Sequence, residues 1–318
     1  MRTNMPRFST RHLLLSLTLL VTVAAPLLAQ DSAPTFVVFG DSLSDPGNGF
    51  ALIKTNATPP DFGMNALLIP SAPYARGGHH LTNGDTWIEQ LAASLGASSS
   101  VLPAFASSNP HAMNFAIGTA RARDDGVNPS LSDEVAAFVQ RTGGQAPADA
   151  LYVIEIGGND VRDAVASGDQ AAALAILQSA ANATADAVSL LHAMGAQHFL
   201  VWNVPNAGLT PAARLSGTTA AAALATTTFN GLLVTALTPL QLAGVGIIPF
   251  DANALVTAIV MTPQAFGLTD VVDACVTPGV PPFTCKTPDQ FLFWDGIHPT
   301  TAGHALIAHA VALLLGIV

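Results

Sequence analysis

Five short apolar runs recur along the chain, and longer stretches with helical spacing separate them. The runs lie at 35–39 (Thr-Phe-Val-Val-Phe), 112–117 (Ala-Met-Asn-Phe-Ala-Ile), 150–156 (Ala-Leu-Tyr-Val-Ile-Glu-Ile), 198–204 (His-Phe-Leu-Val-Trp-Asn-Val) and 246–250 (Gly-Ile-Ile-Pro-Phe). They are continuous rather than alternating, as strands of a parallel sheet covered on both faces should be. Pro249 lacks a ladder donor and predicts an edge strand for the last run. Helices are predicted at 85–95, where Trp87, Ile88, Leu91 and Leu95 share a face, and at 133–141, capped by Ser132 or Asp133. Further helices are expected at 170–194, ending at Gly195, at 211–243, with Pro211 near its first position, and at 301–315. Strands alternating with helices predict βαβ units and a three-layer α/β architecture.

The first 29 residues follow a different pattern. Arg2, Arg7 and Arg11 precede a solid apolar stretch at 13–28, and Ala29 offers a cleavage point. This is the pattern of a secretory signal peptide, with the mature protein a single domain at 30–318. The stretch is short for a membrane span, and Pro26 interrupts it. The apolar end at 310–318 is shorter still, so no stable span is expected after cleavage. Cleavage leaves eight basic against 21 acidic residues, a net charge of −13. Such a charge argues against nucleic acid and against an anionic membrane surface as partners. It leaves an uncharged small-molecule or lipid substrate open, and oligomeric state unaddressed. Half of the 318 residues are hydrophobic and only 10% are charged, which excludes a disordered chain.

Cys275 and Cys285 are the two cysteines, and in an exported chain so close a pair predicts a disulfide. Asn56-Ala57-Thr58 and Asn182-Ala183-Thr184 match glycosylation acceptors, but composition and signal look bacterial. Residues 43–82 form a long Pro/Gly/Asn-rich connection, of the kind that often serves in binding.

Candidate chemistry gathers at the ends of the apolar runs. Gly40-Asp41-Ser42-Leu43-Ser44 follows the first, Gly118 the second, and Gly157-Gly158-Asn159-Asp160 the third. In open α/β sheets the ligand crevice lies beyond the carboxyl ends of the strands, at the switch in strand order. An order of 2-1-3-4-5 would put Ser42 between Gly118 and Asn159. The Ser42 N–H, the Gly118 N–H and the Asn159 amide would then converge as an oxyanion hole. The base is expected from Asp295-Gly296-Ile297-His298-Pro299, before the last helix. Of nine histidines, His298 stands out with a carboxylate three residues before it in a proline-held loop. Asp295 could hold Nδ1 of His298, leaving Nε2 to take the Ser42 proton. Taken singly these motifs are weak, since Asp-x-x-His arises readily by chance and Gly-Gly-Asn-Asp is commonly a turn.

Together, the four blocks resemble the GDSL lipase/esterase family, also called SGNH hydrolases. The matching residues here are Ser42, Gly118, Asn159 and His298, with Asp295 completing a triad, in the family's block order from Phe39 to Pro299. Residues 40–48 (Gly-Asp-Ser-Leu-Ser-Asp-Pro-Gly-Asn) look like the branch of bacterial secreted lipases, acyltransferases and plant enzymes. Asn83-Gly84-Asp85-Thr86-Trp87 also resembles that branch, where an Arg or similar residue often follows the Gly instead of Asp85. The resemblance implies a flavodoxin-like three-layer sandwich with a parallel sheet of about five strands. It implies a serine ester hydrolase that works without metal or organic cofactor. The α/β-hydrolase alternative lacks its Gly-x-Ser-x-Gly elbow in this chain. Hydrolysis of an acyl ester through an acyl-enzyme on Ser42 is the expectation, in a secreted bacterial protein, extracellular or periplasmic. Transfer of the acyl group to an alcohol, removal of acetyl groups from carbohydrate, and an inactive binding protein of the same fold are the alternatives.

Overall fold

The computed structural model describes residues 33–53, 80–276 and 284–317. The expected signal segment, most of the 43–82 connection with the Asn56 acceptor, and the middle of the 276–284 loop lie outside the described residues.

Four strands, β1 (Phe36–Gly40), β2 (Leu151–Glu155), β3 (His198–Trp202) and β4 (Gly246–Phe250), pair in parallel in that order. Register places Phe36 opposite Leu151 and Leu151 opposite His198. β4 is an edge strand, as Pro249 required. The 112–117 run departs from expectation. It lies along the free edge of β1, with Phe115 N–H donating to Val38 O at 2.7 Å and Ile117 N–H to Gly40 O at 3.0 Å, yet it makes only an isolated bridge, Val38 to Asn114. On its other side the run meets the 100–104 segment, with Met113 N–H donating to Ser100 O and Ala104 N–H to Asn114 O at 2.9 Å each, and the Asn48 amide nitrogen donates to the Asn114 and Ala116 carbonyls at 2.8 Å each. The spatial order is still the expected 2-1-3-4-5, with its second member irregular.

Side chains alternate across the sheet. Phe39, Tyr152, Ile154 and Phe199 point into one core, and Phe36, Val153, Leu200 and Trp202 into the other. The helices, in chain order, are α1 (Asn48–Ile53), α2 (Trp87–Ser94), α3 (Leu131–Thr142), α4 (Gly158–Ala166), α5 (Gln170–Ala193), α6 (Pro211–Leu215), α7 (Thr219–Leu242), α8 (Ala252–Met261) and α9 (Thr301–Leu314). The first core is closed by α3, α4, α5 and α7, the second by α2 and α9. This is the three-layer α/β/α sandwich. By length and composition α5 and α7 could cross a bilayer, but both bury one face on this sheet.

Several boundaries differ from the sequence reading. The cap of α3 is Ser130, and Asp133 returns the bond to the Ser130 N–H at 2.9 Å as its capping-box partner. The helix expected at 211–243 breaks in two at Ser216-Gly217, where Gly217 turns left-handed at φ 69°, while Pro211 does open α6. Beyond α8 a small parallel pair forms, β5 (Asp270–Ala274) with β6 (Phe291–Phe293). Helices α1, α4 and α8 and this pair were not anticipated.

Candidate active site

The nucleophile candidate hangs from the end of β1. A Cβ on Gly40 would strike the Glu155 carbonyl of the neighbouring strand, so glycine permits β1 and β2 to stay paired into the turn. Asp41 then folds the turn, accepting from Leu43 N–H at 3.1 Å through Oδ1 and from Ser44 N–H at 3.1 Å through its carbonyl. Ser42 is left half-buried at the crest.

β6 delivers the acid–base pair. Asp295 Oδ1 accepts the N–H groups of Ile297 and His298 at 2.9 and 2.8 Å, and Oδ2 meets His298 Nδ1 at 2.7 Å. His298 Nε2 meets Ser42 Oγ at 2.8 Å, across 256 positions of sequence. Asp295 is fully buried and His298 nearly so. The cystine lies just behind. Cys275 and Cys285 are bonded, with Cα atoms 4.9 Å apart. The N–H of Cys275 donates to Phe293 O and that of Val276 to Trp294 O, next to Asp295.

Asn159 arrives on the first turn of α4. Gly157 makes the bend from β2 at φ 113°, and a Cβ there would lie 2.5 Å from Phe229. The Asn159 amide nitrogen donates to Ala120 O at 2.9 Å, leaving its second N–H for the site. Gly118 stands differently from expectation: its N–H donates to Asp45 Oδ2 at 2.7 Å. That carboxylate also takes the N–H groups of Gly47, Asn48 and Gly49 at 2.5–2.9 Å. Next to Gly118, Thr119 holds a left-handed φ of 75°, a strained conformation for a β-branched residue.

A cavity of about 430 Å³ opens beside Ser42 and His298 and runs between apolar side chains that include Val161, Val165, Ala213, Val256 and Ile259.

Comparison with known proteins then fits this arrangement. The model of the GDSL-like lipase/acylhydrolase family matches residues 36–311. The chain belongs to this family. It is a carboxylic ester hydrolase of the serine type. It is 28% identical to a phosphatidylcholine-sterol acyltransferase of Aeromonas hydrophila, covering 92% of this chain and 83% of that one. It is 29% identical to the esterase EstA of Pseudomonas aeruginosa, covering 98% of this chain and 51% of EstA, so it spans about half of that relative's length. Among solved structures, a catalytic mutant of an acetylxylan esterase from Geobacillus stearothermophilus superposes with a TM-score of 0.49 at 14% identity, covering 90% of this chain and 96% of that one.

This GDSL enzyme keeps a set of buried acids beneath its serine turn. Glu134 accepts Gly40 N–H at 2.8 Å and Ile117 N–H at 3.2 Å, joining the two segments that flank the site. Glu155 accepts from Ser44 Oγ at 2.8 Å, and the Trp87 indole donates to the same hydroxyl at 2.9 Å. Burial pushes both glutamate carboxyls well above their ordinary range, and the nearby Asp41 charge adds to it. Burial also pushes Asp41 up to about 6, against the pull of the Leu43 N–H and of His298. Sequence reading missed these residues; the signal for Glu155 was a lone acid inside an apolar strand run. His304, behind the site, is lowered to about 3 by burial and by the neighbouring His298, and its Nδ1 accepts the Trp87 N–H at 3.2 Å.

Ligand-type atoms of His80, Asp85 and Glu89 come within 4.8 Å of one another. Glu89 is already committed, pairing with His80 Nε2 at 2.7 Å and accepting the Thr86 N–H and hydroxyl at the start of α2.

Proposed function

We propose that Ser42 is the nucleophile of this ester hydrolase, His298 its general base and acid, and Asp295 the residue that orients His298. Ser42 Oγ bonds to the ester carbon while its proton passes to His298 Nε2. Collapse of the tetrahedral intermediate breaks the bond to the alcohol, which leaves with that proton. Water then repeats the cycle on the acyl-enzyme. The Ser42 N–H and the Asn159 amide hold the oxyanion, and the Gly118 N–H joins them only after giving up Asp45. The continuous relay of 2.8 and 2.7 Å through Ser42, His298 and Asp295 carries this reading. A fluorophosphonate probe should label the wild-type chain and spare Ser42→Ala. Labelling of folded Ser42→Ala would remove Ser42 from the role.

The apolar cavity suits the acyl chain of a lipid or small-molecule ester. Transfer of that acyl group to an alcohol is the second reading, favoured by the name of the Aeromonas relative. Products formed with a competing alcohol separate it from hydrolysis. We read residues 1–29 as an export signal, 30–318 as one domain, and the mature protein as extracellular or periplasmic. The Cys275–Cys285 bond supports an oxidising compartment.

A further inference from the structure

Helix α4 spends its charged side chains in two directions. Asp160 and Asp163 are engaged by a neighbouring loop: Arg123 donates to Asp160 at 2.8 Å and to Asp163 at 2.9 Å, and Arg121 donates to Asp163 at 3.0 and 3.1 Å. Arg162 stands between these acids in sequence but lines the cavity with Ser42, Asn159 and His298. Among the described residues it forms no ion pair. Its recorded hydrogen bond runs from Nη1 to Asn159 Oδ1, at 3.0 Å. A guanidinium with no paired carboxylate among the described residues, in a largely apolar cavity, is costly to keep there. Burial pulls its pKa down and the Arg121 charge adds to this, against the more distant pull of Asp163, Asp41 and Asp295.

The benefit lies in the amide it holds. A side-chain amide can sit either way round. Here the Ala120 carbonyl fixes the nitrogen end at 2.9 Å and the guanidinium fixes the oxygen end at 3.0 Å. Reversed, Oδ1 would face the Ala120 carbonyl and the NH₂ group would face Arg162, so both bonds would become repulsive. A cation on Oδ1 also draws electron density from the nitrogen and makes its free N–H a better donor. The i,i+3 spacing on α4 places the two side chains on one face of the helix.

We propose that Arg162 is a positioning residue of the oxyanion hole, locking the Asn159 amide so that its second N–H faces the carbonyl attacked by Ser42. This rests on the reading of Asn159 as an oxyanion donor.

The test uses the whole chain, with active sites counted by fluorophosphonate titration. The substrates are phenyl acetate and its anionic analogue 4-acetoxybenzoate. Asn159→Ala should lower kcat by roughly 10²–10³-fold. Arg162→Met should lower kcat by about 10-fold on both esters with KM nearly unchanged, and Arg162→Lys, which keeps a cationic donor, should recover part of that loss. The Asn159→Ala/Arg162→Met double variant should be no slower than Asn159→Ala alone, because the two act as one unit. Losses that multiply in the double variant would overturn the proposal. So would an unchanged kcat in Arg162→Met, or a KM effect confined to 4-acetoxybenzoate, which would make Arg162 a subsite for substrate anions. Should Arg162→Met fail to fold, Arg162→Gln provides the same comparison. An Asn159→Ala variant of full activity would instead sink the oxyanion-hole reading itself.

Discussion

The Ser42 hydroxyl meets His298 Nε2 and sits half-exposed on a turn whose other bonds run through Asp41. Removing it should therefore cost activity and not structure. Ser42→Ala is expected to lose about 10⁴-fold or more in kcat while its melting temperature stays within about 2 °C of wild type, read by calorimetry. Asp45 is the converse case. Its two oxygens collect four N–H groups, including that of Gly118. Asp45→Asn puts a donor where two of those N–H groups point, and should cost about 2–3 kcal/mol in denaturant unfolding. The residues proposed as the triad, and Asn159, were legible because each follows an apolar run or lies on a proline-held loop. Asp45, Glu134 and Arg162 were not. Glu134 reaches Gly40 across 94 positions and Asp45 reaches Gly118 across 73, which no local pattern encodes, while Arg162 sits three residues from Asn159 in a spacing that forms no motif of its own.

Helix α4 shows how a local signal can mislead at the scale of an element. Gly157-Gly158-Asn159-Asp160 reads as a turn, and Gly157 is one, yet Gly158 already opens a helix. Gly157→Ala would force a Cβ against Phe229 and a side chain into a left-handed backbone. It should destabilise by at least about 1–3 kcal/mol and lower kcat as well, since it displaces Asn159. The 112–117 run carried enough apolar character to be read as a strand, and it does lie along β1, though as an irregular member with an isolated bridge. The pair β5–β6 escaped notice because β5 (Asp-Val-Val-Asp-Ala) carries two acids and no continuous apolar run, and β6 has only three residues. It matters because the cystine staples its far end, two backbone bonds away from Asp295. Replacing Cys275 and Cys285 by serine should lower stability by up to about 3 kcal/mol. It should speed thermal inactivation more than it slows turnover at low temperature. Equal inactivation rates with and without the bond would empty that role.

Over the whole molecule, the buried acids set how stability varies with pH. Asp41, Glu134 and Glu155 all have folded-state pKa values raised by burial. The native state therefore holds protons that the unfolded chain has released. Stability should fall as pH rises from the ordinary carboxylate range, about 4, through about 6 for Asp41, and the two glutamates, also raised, add to that fall. Asp163 runs the other way: burial raises it, but hydrogen bonds from Arg121 and Arg123 outweigh that and hold it low, so its contribution is lost as pH falls. Melting temperature should peak in mild acid, and Glu155→Gln should flatten the alkaline decline. A wild-type melting temperature that climbs steadily to neutral pH would contradict this.

The relay from Ser42 to His298 spans 256 positions, from the first strand to the loop before the last described helix. The surrounding bonds repeat that reach: Thr82 Oγ1 donates to Pro299 O at 2.8 Å, Thr301 N–H to Asn83 Oδ1 at 2.8 Å, and Trp87 N–H to His304. In the order of synthesis, then, the serine emerges 256 positions before the histidine it meets. A growing or half-folded chain carries the hydroxyl without that imidazole, and the proposed reactivity switches on only when the two distant segments find each other. Regained activity after refolding accordingly dates the closing event of the fold, whatever the spectroscopic signals of its helices have already done.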